Sequence, residues 1–343
     1  MLSRARSLKI GTILVMFGLL LVLTVIVPLF FSGNNFLLNV FILANIYAIL
    51  AMSWDILSGY TGQISFGHSY FFGIGGYTTA LVGLELGWSP LFTIPLAGVI
   101  AAAGGLLIAG PALRLKGPYL ALITLVASIG IDQLVRFLKI GSTGAEGAIL
   151  YKIDDATQII TRIPSISGDY LTTYFISFGL MVLIAVALLL IGRSRIGLAF
   201  EAIRDDEEAA EAAGINAAKY KTLAFVISGF VAGLAGAFLV NHLGLASPSL
   251  VFALDISIEA IVASVLGGMG TIIGPIGGAY FYVLIRELLR PLQAWRFFVL
   301  FLITLLVLYF IPRGVLTEFK LRMLQWIKSA GIKLPERQEE TKE

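Results

Sequence analysis

At 343 residues, 58% hydrophobic and 13% charged, with a mean hydropathy of +0.93, the chain departs in both directions from a soluble domain. Such domains run at about 45–50% apolar and about a quarter charged. The chain is too apolar to remain disordered and solvated, and with no cysteine it has neither a disulfide framework nor thiol chemistry. A net charge of +3 is too small to point to nucleic acid. A bilayer-spanning helix uses about 20 mostly apolar residues, so the apolar material suffices for at most about ten spans. The composition predicts an all-α polytopic membrane protein.

Taken in chain order, the apolar runs predict spans at 10–31, 36–57, 63–84, 91–113, 118–139, 170–191 and 222–242. The first is too long for a signal peptide and ends without a small-residue cleavage site, so it reads as a retained span. The stretch 255–289 is too long for one span and is interrupted by Gly267-Gly268-Met269-Gly270 and Gly274-Pro275. It reads as two short helices meeting at a glycine-rich bend, and a last span follows at 291–311. The total is ten crossings. With a cytoplasmic N-terminus, the inner segments carry 17 of the 24 Lys and Arg residues, as the positive-inside rule requires. Arg286, Arg290 and Arg296 then fall on the outer side. The chain divides into an N-terminal segment 1–9, a transmembrane region 10–312 and a basic cytoplasmic tail 313–343. Two loops exceed what connection needs, an outer one at 140–169 and an inner one at 192–221.

The connection after the span 36–57 and the first half of the span 63–84 are dense in glycine: Gly59-Tyr60-Thr61-Gly62-Gln63-Ile64-Ser65-Phe66-Gly67-His68, then Gly73, Gly75 and Gly76. In a membrane, glycines let backbones approach and permit a helix break beside a cavity. Gly62, Gln63, Ser65 and His68 are candidates for the translocation pathway or its gate, together with Gly267, Gly268 and Gly270. The inner loop holds Phe200-Glu201-Ala202-Ile203-Arg204-Asp205-Asp206-Glu207-Glu208, continuing through an alanine-rich run to Gly214. Its strong helix formers predict one short amphipathic helix capped at Gly214. Phe200, Ile203, Ala210 and Ala213 form a narrow apolar stripe suited to a groove in another protein, and Arg204 and Glu208 can pair at i,i+4. The other reading, a helix lying in the headgroups, calls for a basic polar face and large apolar residues, which this acidic, alanine-rich segment lacks.

Ionisable residues inside apolar runs are functional candidates by default. Asp132 can pair with Arg136 at i,i+4, a structural role, and Asp255 can cap its helix. Glu259, one turn further in with Ser257 and Ser264 nearby, is either structural or pathway-lining. Asp55 and His68 flank the glycine-rich turn and can pair with each other.

The block Gly192-Arg193-Ser194-Arg195-Ile196-Gly197-Leu198-Ala199-Phe200-Glu201-Ala202-Ile203-Arg204-Asp205-Asp206-Glu207 resembles the cytoplasmic loop of branched-chain amino acid ABC transporter permeases, most of all the LivM type. The segment from Gly59 to Tyr77, the block Gly117 to Leu125 and the block Ser264 to Ala279 resemble further family blocks, in the same order. The resemblance implies a permease subunit of an ATP-driven importer, without enzymatic activity, cofactor or metal of its own, in the cell membrane. It implies a sister permease chain forming a heterodimer, two cytoplasmic ATPases and an extracytoplasmic binding protein. It also implies that Phe200, Glu201, Ala202, Ile203, Arg204, Asp205 and Gly214 couple the chain to the ATPase. The chain has no Gly-Lys dipeptide and hence no phosphate-cradling P-loop, so another subunit must hydrolyse ATP. Related permeases that look much like this chain serve urea or short amides. An ion-coupled secondary transporter is the further alternative, with broken helices near the midplane, but it leaves the inner loop unexplained. An intramembrane enzyme lacks a converging set of residues.

Overall fold

The structure is a computed structural model that describes residues 33–112, 118–138, 151–153, 160–293 and 295–310. The expected span 10–31, Arg114 and Lys116, the outer-loop glycines Gly141, Gly144 and Gly147, and the tail 313–343 lie outside the described residues. Among the described residues, six helical runs are long and apolar enough to cross a membrane: Asn35–Gly59, Pro90–Gly110, Tyr119–Leu138, Tyr170–Arg193, Ala217–Leu243 and Pro248–Gly267.

Helix α1 (Asn35–Trp54) starts where the Asn34 side chain accepts from the N–H groups of Phe36 and Leu37 at 3.1 and 3.2 Å. It runs on into a π-helical turn, Asp55–Gly59. The next helix, α2 (His68–Leu86), begins five residues later than the apolar run predicts. Residues 62–67 turn back instead of coiling, because Trp54 Nε1 donates to the Ser65 carbonyl at 2.9 Å and Ser65 Oγ accepts from Gly67 N–H at 3.1 Å. Next come α3 (Pro90–Ala112) and α4 (Pro118–Leu138), close to the expected bounds. On α4, the expected pair forms, Arg136 Nε lying 3.0 Å from an Asp132 oxygen. Among the described residues the fold is all-helical as expected, apart from one short hairpin in the loop 140–169, where Tyr151–Ile153 (β1) and Ile160–Arg162 (β2) pair antiparallel, with Lys152 opposite Thr161.

Asp169 starts α5 (Tyr170–Arg193) by accepting from the Thr172 N–H at 3.0 Å, a bond that holds its carboxyl below the usual carboxylate range. Two short helices follow, α6 (Arg195–Asp205) and α7 (Glu207–Ala212), then the long α8 (Ala217–Leu243). A single turn, α9 (Pro248–Val251), leads to α10 (Leu254–Gly267) and α11 (Ile273–Leu288). These are the two helices expected on either side of a glycine-rich bend. At 1.5 Å per residue they measure about 21 and 24 Å, each shorter than a hydrocarbon core of about 30 Å. Asp255 does not cap α10: Ala253 occupies the cap position and Asp255 sits exposed in the first turn. A short turn at Arg290–Leu292 precedes the last described helix, α12 (Trp295–Phe310).

Helix α8 packs against α1, α2 and α3. The α2–α8 contact is backbone on backbone: a Cβ on Gly75 would collide with the Gly233 carbonyl, and one on Gly236 with the Phe72 carbonyl. Without a hydrophobic drive between helices in lipid, such close approach is what holds them. Polar pairs fix its register, His68 with Ser228 at 2.9 Å and Asn241 Nδ2 donating to Thr79 Oγ1 at 2.7 Å. Helices α10 and α11 close in the same manner, Gly267 against the Gly274 carbonyl and Gly278 against that of Ala263.

Candidate functional site

The loop 192–221 folds into two helices where one was expected. Asp206 adopts extended geometry (φ −160°, ψ 108°), ends α6 and caps α7, its Oδ1 accepting from Glu208 and Ala209 N–H at 3.0 Å each. An aspartate competes with the helix by bonding the backbone ahead of it, and here that outweighs the helical propensity of its neighbours. The break also removes the i,i+4 geometry expected of Arg204 and Glu208. At the far end Gly214 stands at φ +87°, with Gly214 N–H bonded to the Glu211 carbonyl at 2.9 Å and Ile215 N–H to that of Ala210 at 3.0 Å. This is a Schellman cap, as the glycine predicts.

The apolar stripe faces the chain's own bundle and not an outside groove. Phe200 is fully buried with its ring edge-on to Tyr220, and Ile203 and Ala210 are buried with Ala217. Ala213 is exposed. A buried ion pair adds to the attachment, Lys221 Nζ of α8 lying 2.6 Å from Glu207 Oε2, with the lysine only 2% exposed. What the elbow formed by α6 and α7 offers outward is mostly charged: Arg204, Asp205, Asp206, Glu208 and Glu211 are exposed beside Leu198 and three alanines, and Glu201 and Ala202 are half-buried.

Beside the elbow three segments meet. Arg204 donates from Nη1 to the Gly59 carbonyl at 3.1 Å, satisfying an acceptor that the end of the π turn leaves open. Its Nε and Nη2 reach Asp205 Oδ1 at 3.3 and 3.2 Å. A Cβ on Gly62 would meet Arg204 Cγ at 3.1 Å, and one on Gly270 would meet its Nη1 at 3.4 Å. The stem therefore lies on the loop after α1 and the head beside the α10–α11 bend. One turn before Gly59, the fully buried Asp55 accepts from Gly270 N–H at 2.6 Å and Ile272 N–H at 3.1 Å. Ile272 has φ +60°, a conformation that β-branched residues rarely adopt and that needs its surroundings to hold it. Asp55 does that. Hydrogen bonds thus link α6 to Gly59 and, one turn earlier in the same segment, Asp55 to the α10–α11 bend.

Two further polar clusters lie apart from this joint. Ser228 Oγ donates to the Ser53 carbonyl at 2.7 Å, which leaves His68 Nε2 as the donor in its 2.9 Å bond to Ser228. The expected Asp55–His68 pair does not form, since backbone N–H groups take the carboxylate and Ser228 takes the ring. At the opposite end of α11 from the bend, Glu259 Oε1 accepts from Arg286 Nη1 at 2.8 Å and Tyr282 Oη at 3.0 Å. Arg286 Nη1 also donates to Tyr47 Oη at 3.2 Å.

Comparison with known proteins decides what this arrangement belongs to. Residues 36–309 match the family described as branched-chain amino acid transport system / permease component. The chain belongs to this family. Among similar proteins is the high-affinity branched-chain amino acid transport system permease protein LivM of Escherichia coli, 33% identical over 87% of this chain and 73% of the relative. The permease protein LivH of the same organism is 27% identical over 80% of this chain and 92% of its own. BraD of Pseudomonas aeruginosa is 26% identical over 82% and 94%. No solved structure gives a significant match. This permease is accordingly a multi-pass membrane transport subunit and not an enzyme.

Of the predicted residues, the permease brings Gly62, Arg204, Asp205 and Gly270 together at the joint, with Gly267 and Gly268 in the same bend. Gln63 is half-buried and donates to the Thr61 carbonyl at 3.3 Å, and Ser65 is buried against Trp54. His68 and Glu259 stand in separate clusters, and Phe200 and Ile203 are anchors instead of a docking face. Sequence reasoning missed Asp55 as the clasp of the bend, the Lys221–Glu207 pair, and Arg286 as the partner of Glu259. The last had a signal: in a hairpin bent at Gly270, positions 259 and 282 lie opposite each other and 286 is one turn on.

Proposed function

We propose that this chain is a permease subunit of an ATP-driven importer for branched-chain amino acids, and that it alternates between inward- and outward-open states as a separate ATPase moves the elbow. The observation that carries the reading is Arg204, which ties an exposed acidic elbow to both glycine-rich segments through Gly59, Gly62 and Gly270. Similarity to permease proteins of branched-chain amino acid systems supports the substrate class, and similarity to both LivM and LivH supports a sister permease in a heterodimer. Two cytoplasmic ATPases and an extracytoplasmic binding protein complete the complex in the cell membrane. Ten crossings with both termini cytoplasmic, the tail 313–343 among the inner segments and the loop 140–169 outside, follow from the positive-inside distribution. Glu201, Ala202, Arg204, Asp205 and the capped turn at Gly214 face or position the ATPase contact, with Phe200 and Ile203 holding the elbow to the bundle. Gly62, Gln63, Ser65, His68, Glu259, Gly267, Gly268 and Gly270 line or gate the pathway.

The test is purification of the chain with its partners, followed by ATP hydrolysis and leucine uptake. ATPase chains should co-purify and binding protein should stimulate hydrolysis. Gly214→Pro forces a φ of about −65° where +87° is needed, and Glu201→Lys reverses charge on the elbow. Both variants should insert normally and lose stimulated hydrolysis. Unchanged stimulation in both removes the elbow's role, and leucine uptake by the chain alone removes the importer reading.

A further inference from the structure

We infer that Glu259 and Arg286 form a station for the two charges of an amino-acid substrate, ammonium on Glu259 and carboxylate on Arg286, an assignment that rests on the permease reading above. Glu259 is 7% exposed, and its two oxygens are unequal: Oε1 receives Arg286 and Tyr282, while Oε2 is buried with no partner among the described residues. A buried carboxylate oxygen without a donor is costly, and such groups mark places where a donor arrives. Arg286 is unequal in the same way. Both hydrogen bonds it makes among the described residues leave from Nη1, and its side chain is 28% exposed on a helix between apolar runs. A guanidinium there requires water or an acceptor on its open side.

Charge balance selects the ligand. The pair is neutral, so a simple anion or cation that engaged one member would leave the other uncompensated in a poorly solvated place. A zwitterion meets both at once. Sharing Tyr282 with the pair, a water-sized crevice is lined by Leu266, Phe281, Ile285, Leu300, Ile303 and Thr304. Its mostly apolar wall would receive an aliphatic side chain only once α10, α11 and α12 move apart. The station is also placed to change with the transport cycle, because Glu259 rides on α10 and Arg286 on α11, and the bend joining them carries Gly270 of the elbow joint.

The decisive variant is Glu259→Gln/Arg286→Met, which removes both charges and leaves none unpaired, a replacement that folded structures tolerate. In the complete complex in proteoliposomes it should assemble in wild-type amount, and leucine uptake should fall at least about tenfold. Uptake near wild type, or uptake reduced only in step with the amount of assembled complex, overturns the station. If the wild-type complex itself takes up no leucine, the permease reading fails instead. Because the chain has no cysteine, Ile285→Cys supplies a second readout. A membrane-impermeant cationic thiol reagent should modify it, detected on this chain by mass spectrometry, and saturating leucine with its binding protein should slow the reaction several-fold. An unreactive thiol, or one indifferent to leucine, overturns the proposal.

Discussion

The α2–α8 seam and the elbow joint are both built around glycine, yet they hold in different ways. At the seam, glycines press main chain onto main chain, Gly75 on Gly233 and Gly236 on Phe72, and the His68–Ser228 and Asn241–Thr79 bonds only fix the register of that close packing. At the joint, glycine leaves space that two charged side chains fill, and the connection is a handful of hydrogen bonds, donated by Arg204 and accepted by Asp55. Packed contacts have one good arrangement, whereas directional bonds across a bend can be exchanged for others. On the proposed function, the seam should move as one body and the joint should be where it is moved. Stability should reside in the first and coupling in the second.

The largest effect belongs to the seam. Gly236→Leu drives a side chain into the Phe72 carbonyl, which neither helix can vacate without separating. A loss of about 3 kcal/mol or more is expected, seen as little folded protein by fluorescence-detected size exclusion in detergent. Normal yield would show that the seam is loose and the contrast unfounded. Asp55→Ala comes next. It strands the N–H of the buried Ile272, at about 1–3 kcal/mol, and frees that of the half-buried Gly270. With its clasp gone, the strained Ile272 should relax, so hydrogen exchange over 268–272 should rise and uptake should fall while the rest of the bundle stays protected. Exchange that rises across all helices alike would make Asp55 part of the rigid body.

These regions differ in how far residues alone disclose them. The spans are legible because an uncharged run of helix-spanning length has few other uses, and α3, α4 and α10–α11 fall where hydropathy and the Gly267–Gly274 interruption put them. Asp132–Arg136 and the Gly214 cap are local and equally readable. Asp55 is not, because its partners are main-chain N–H groups 215 and 217 residues away, and a backbone donor leaves no mark in the sequence. The break at Asp206 turned on two forces of similar size, alanine-rich helix propensity and an aspartate's preference for capping. The late start of α2 came from Trp54 and Ser65, whose bonds depend on a reversal that hydropathy does not register.

The smallest structural effect should accompany the sharpest functional one. Arg204→Gln keeps most of the stem that lies on Gly62 but shortens the head, so its bond to the Gly59 carbonyl is lost while the exposed side of the elbow changes little. The arginine side chain is 38% exposed, and contacts of that kind contribute at most about 1 kcal/mol, so thermal stability in detergent should move by only a degree or two. Leucine uptake per ATP hydrolysed is the quantity to compare. If the joint transmits the elbow's movement, hydrolysis continues with fewer solute molecules moved, because the ATPase still grips the elbow while the elbow no longer grips Gly59. An unchanged ratio would mean that movement reaches the bundle through the Glu207–Lys221 attachment to α8 instead, and the division between rigid seam and working joint would have to be redrawn around that pair.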